Sequence, residues 1–139
     1  MNSFFVLNET SSLHIPGDFI GSVIFYAKSK NEQIASSQFI LIQRLVENGL
    51  NLKLSQFILI DINSSKYRIS SLRKKIPLKN CILFGVKESE IGLNVSLPTY
   101  QNRLITDIIF LKSDAPEDIE NKATLKKALW EQLQLIFKI

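Results

Sequence analysis

Histidine and cysteine, the side chains most often used to shuttle protons, hold metals or attack substrates near neutral pH, are scarce in this 139-residue chain. There is one histidine, His14, and one cysteine, Cys81. His14 has no cysteine, histidine or carboxylate at ligand spacing, so no metal site is expected. A Ser-His-Asp set is not credible when the lone histidine lies in the N-terminal lead. Cys81 opens the apolar run 81–86 and reads as an inert buried thiol. The glycines at 17, 21, 49, 85 and 92 form neither a GxGxxG fingerprint nor a P-loop, so nucleotide binding by those modes is not expected. Asp61 follows a fully apolar run and is the best lone candidate to activate a water molecule. Its simpler reading is a capping or solvated carboxylate. No catalytic residue and no cofactor are expected.

Charge is the second resource. Lys66, Arg68, Arg73, Lys74, Lys75 and Lys79 carry six positive charges with no acid between Lys66 and Lys79. The whole chain is only +4, so the remainder is net acidic and the basic character is local. The simplest reading is a solvated basic face. An acidic protein partner or nucleic acid could also contact Lys66, Arg68, Arg73, Lys74 and Lys75, through phosphates in the second case. Tyr67 is the one aromatic in the run, so the alternation of aromatic and basic residues typical of a single-strand platform is missing. Nucleic-acid binding is therefore expected to be weak.

The elements that position these groups alternate in type. The run at 22–27 is continuously β-branched and aromatic, as in a strand buried on both faces, and the runs at 56–62, 81–86 and 107–111 read as three further strands. Residues 32–48 have helical spacing at Ile34, Leu41, Ile42 and Leu45, with Asn48-Gly49 as a stop. Residues 69–76 read as a short basic helix ended by Pro77. Residues 94–101, with Pro98, read as loop or edge structure. This alternation implies an α/β fold, three-layer α/β/α, with a mainly parallel sheet of about four strands and right-handed crossovers. The length suits one domain, with residues 1–21 as an arm and 22–139 as the body.

The C-terminal stretch is the clearest helix. Leu125, Leu129, Leu133 and Ile136, with Phe137, fall on one stripe at about 3.6 residues per turn. Asp114 could cap a first turn, with Pro116 just inside it and Glu117 at the capping-box position, and Asn121 could cap a second. Trp130 lies on the shoulder of the stripe. It either closes the rim of the core or stands half-exposed as an anchor for a partner.

Phe4, Phe5 and Leu7 belong to an apolar lead of four residues with no basic region before it, so no signal peptide is expected. No run approaches the ~18 apolar residues of a membrane span. One cysteine fits a reducing compartment, so a cytoplasmic location is expected. The lead reads as an edge strand, as an arm packed on the body, or as a docking segment.

An acidic turn, then Leu125-Lys126-Lys127-Ala128-Leu129-Trp130 and Leu133, resembles the C-terminus of the psi subunit of the bacterial DNA polymerase III holoenzyme. The likeness is closer to short psi-like proteins. Ile82-Leu83-Phe84-Gly85-Val86, Ile91-Gly92-Leu93 and Leu97-Pro98-x-Tyr100 also fit, so the resemblance spans roughly residues 23–137. It implies a non-catalytic accessory subunit that bridges the clamp loader to another replication protein, with replisome proteins as partners and no membrane. That family uses its N-terminal peptide to hold the clamp loader, which would give Phe4, Phe5 and Leu7 a docking role. Here the lead is short and has no Arg or Lys before Lys28. The alternative function is a small hydrolase or DNA glycosylase-like enzyme with Asp61 activating water.

Overall fold

A computed structural model describes residues 15–27, 39–63 and 67–137. Among these residues five strands form one mixed sheet in the order β2-β1-β3-β5-β4. They are β1 (Ser22–Tyr26), β2 (Phe57–Asp61), β3 (Asn80–Phe84), β4 (Arg103–Ile105) and β5 (Ile108–Ser113). The first three and β5 are parallel, and β4 pairs antiparallel with β5. The four apolar runs expected as strands thus lie together in one mostly parallel sheet. The fifth strand, β4, is an addition to the expected four.

The interior strands are apolar along their length because both faces are covered. Val23, Phe25, Cys81, Leu83 and Phe110 point into one cluster, and Ile24, Phe57, Ile82, Phe84 and Leu111 into another. Each cluster meets different helices. Helix α1 runs through residues 39–44 and ends in a π-helical turn, Leu45–Gly49. Its Ile42 and Val46 join the second cluster. Helix α2 (Ile69–Lys75) sends Ile69 and Leu72 into the first. Alternate residues of β1 and β3 enter the two clusters, as side chains on opposite sides of a strand do.

Two more helices follow β5: α3 (Pro116–Glu120) and α4 (Ala123–Phe137). Leu129 and Leu133 of α4 are buried in the second cluster, and Leu125, Trp130, Ile136 and Phe137 pack against it, as the stripe implied. Phe137 meets Phe57 at the amino end of the sheet, with ring centroids 5.8 Å apart. Helix α4 therefore runs back from the carboxyl end to the amino end.

The capping expectations need correction. Ala115, not Asp114, occupies the N-cap of α3 and makes no side-chain cap bond. The Asp114 carboxylate is taken instead by the Tyr100 hydroxyl, which donates to Oδ2 at 2.7 Å. Asn121 is the C-cap of α3 rather than an N-cap, and its amide donates to the Glu117 carbonyl at 3.3 Å. Among the described residues no helix is long and apolar enough to cross a membrane.

Candidate partner-binding site

Gly85 follows the end of strand β3 and turns the chain with φ +67°. A Cβ at Gly85 would lie 2.9 Å from the Ala115 Cβ and 3.0 Å from its Cα. The missing side chain thus lets the start of α3 press against the end of the strand. Pro116 and Ile119 of α3 are buried as a result. From the other side comes α1. Its π turn is closed by the Leu50 N–H donating to the Leu45 carbonyl at 2.9 Å, and it brings Gly49 against the Trp130 ring. A Cβ at Gly49 would sit 3.1 Å from Trp130 Cζ3.

Between these three helices lies a pocket of about 250 Å³. Phe84 and Leu129 line it from the core, Leu41, Ile42 and Leu45 from α1, Pro116 and Ile119 from α3, and Trp130 from the flank of α4. Among the described residues of the lining, Glu120 and Lys126 carry the charges. Phe39 and Ile40 of α1 are each 43% exposed. The result is a concave apolar surface with a charged rim, a shape that suits an apolar group. Trp130 is half-buried. It packs against the cluster on one side and lines the pocket on the other.

The polar groups nearby hold the scaffold. Glu88 accepts the Leu97 N–H at 2.6 Å and the Lys112 ammonium at 2.9 Å. The backbone bond from Leu97, then the Lys112 bond, pull its carboxyl down to about 2. Burial, with the bond to Asp114, pushes the Tyr100 phenol up to about 12. These ties fasten the long β3–β4 connection to the carboxyl end of β5, and so fix where α3 begins. No signal in the sequence joins Glu88 to Lys112 or Tyr100 to Asp114, because the partners come from different elements.

Of the residues expected to bind partners, Trp130 lies at the pocket, whereas Phe4, Phe5 and Leu7 lie outside the described residues, as do His14 and Lys66. Arg68, Arg73, Lys74 and Lys75 are exposed around α2, on the opposite face of the sheet from the pocket, so the two groups are not brought together. Arg73 donates to Asp107 at 2.9 Å, and the Lys75 ammonium is 6.0 Å from the Tyr67 ring centroid. Asp61 accepts the Asn63 N–H at 3.0 Å, which forms a turn, and burial, with the Asp61 charge second, raises the Tyr26 phenol. Cys81 is fully buried, which pushes its thiol up and keeps it protonated. Among the described residues no three histidine, cysteine or acidic side chains are grouped to hold a metal. Compared with models of known protein families and with curated proteins, the chain matches none.

Proposed function

We propose that the chain is a non-catalytic, psi-like accessory subunit of the DNA polymerase III holoenzyme. In this reading it bridges the clamp loader to another replication protein by protein–protein binding in the cytoplasm, and its body is a three-layer α/β/α domain. The observation that carries the reading is a convergence. Of the residues that carry the psi resemblance, the adjacent Leu129 and Trp130 of α4 line one apolar pocket, and Gly85, just after β3, lies outside the lining but against the start of α3, which walls it. Leu129 forms its floor, Trp130 its flank, and Gly85 seats the helix that supplies its wall. Trp enclosed on one side and open on the other is the geometry of an interface hot spot.

Binding would proceed by insertion of a partner's apolar side chain between α1 and α4, with Glu120 and Lys126 orienting the segment around it. The engagement of the Asp61 carboxylate in its own turn supports a structural role for that residue over water activation. Trp130 is the sole tryptophan, so its fluorescence reports the site without labelling. Adding purified clamp-loader subunits of the same organism should shift that emission to the blue as the ring is desolvated. An unchanged emission spectrum at saturating clamp loader would overturn the proposal.

A further inference from the structure

Among the described residues β4 ends the sheet, with β5 on one side only. An edge strand presents backbone N–H and C=O groups to any strand that can pair with it. The two faces of this edge differ in chemistry. Arg103 pairs with Phe110 and so lies on the α2 face, while Leu104 pairs with Ile109 and lies on the α4 face. On the first face the Arg73–Asp107 bond at 2.9 Å draws the last turn of α2, with Lys74 and Lys75, beside the β4–β5 turn. Arg103 itself is exposed. On the second face Asn102 and Gln132 are hydrogen-bonded twice, at 2.9 and 3.3 Å. Strand and helix run in the same direction from that point. Two residues along the strand and one turn along the helix, Leu104 and Leu135 are 69% and 66% exposed, more than any other large apolar side chain described.

We infer that this edge accepts an extended peptide in which acidic and apolar residues alternate. Successive side chains of a strand point to opposite faces. A segment paired with β4 would lay its acids against Arg103 and the last turn of α2, and its apolar residues against Leu104 and Leu135. Backbone pairing would supply affinity and the alternation specificity. Charge complementarity decides the sign of the partner. Nucleic acid fits less well, because Tyr67, the aromatic of the basic run, is only 2% exposed and offers no stacking surface. The edge is separate from the Trp130 pocket, and the inference does not rest on the function proposed above.

The test is a titration of the whole protein with an octapeptide of alternating Glu and Val, followed by amide NMR. Parallel titrations use alternating Lys and Val, alternating Glu and Gly, and a single-stranded oligonucleotide. The Glu-Val peptide should shift the amides of Arg103, Leu104 and Ile105 at concentrations up to about millimolar. Arg103→Glu should weaken it about tenfold and admit the Lys-Val peptide, and Leu104→Ser should weaken it as well. Both side chains are exposed, so both variants should melt with the parent. No shift at β4, equal shifts with the Lys-Val or Glu-Gly peptide, or preference for the oligonucleotide would overturn the inference. So would a dimer of the protein alone that Leu104→Ser disperses, since the edge would then belong to a second copy.

Discussion

Leu129 is 3% exposed under α4, so Leu129→Ala should leave a cavity that costs ~2–5 kcal/mol, measurable by urea unfolding. That is a large share of the ~5–15 kcal/mol that holds a typical domain. Gly85→Ala should destabilise by ~1–3 kcal/mol for a different reason, a left-handed backbone, plus the cost of moving the start of α3. Glu88 contributes to the acid response. Its folded carboxyl is held at about 2, below its unfolded value, so its contribution is fully present above that unfolded value and is lost as pH falls towards 2. Glu88→Gln should flatten the fall in melting temperature between about pH 5 and pH 2. At this scale the sequence was legible where one residue type has one common use. Burial of Leu129 followed from the stripe, and inertness of Cys81 from its place at the start of an apolar strand. Asp114 was misread because a capping residue and a hydrogen-bond acceptor for a distant tyrosine look alike in a sequence.

Elements were legible in proportion to their periodicity. The stripe of α4, the short basic α2 stopped before Pro77 and the four apolar strands all appear where spacing put them, within a residue or two at their ends. The hairpin between β4 and β5 did not announce itself. Its two-residue turn is Thr106-Asp107 rather than a glycine-containing pair, and Thr106 sits at φ +59°, unusual for a β-branched residue. The π turn of α1 has no sequence signature either, although it brings Gly49 to Trp130. Three residues of the basic run, Arg73, Lys74 and Lys75, form the exposed last turn of α2, where positive charge complements the helix dipole. Arg73→Ala should therefore cost at most ~1 kcal/mol in thermal unfolding, since the pair with Asp107 is exposed on both sides. DNA affinity, measured by fluorescence anisotropy, should be weak and should fall steeply as salt is raised through the physiological range.

For the molecule as a whole, a mostly parallel mixed sheet with helices followed from the alternation of strand and helix patterns, because crossover connections between parallel strands demand it. The pocket did not follow. It is made by three helices from different parts of the chain, and only the position of Trp130 on the shoulder of its stripe hinted at a surface there. If the molecule is a binding subunit, its Asp61→Asn variant should bind partners as the parent does, because the amide oxygen can still accept the Asn63 N–H. The most direct measurement is calorimetric titration of the clamp-loader complex with the parent, Leu129→Ala and Trp130→Ala proteins, beside their thermal melts. Trp130 is only half-buried, so Trp130→Ala should melt closer to the parent than Leu129→Ala does and yet bind weaker by ~2 kcal/mol or more. A folded Trp130→Ala protein that binds as tightly as the parent, or a parent that does not bind the clamp loader, would contradict the account.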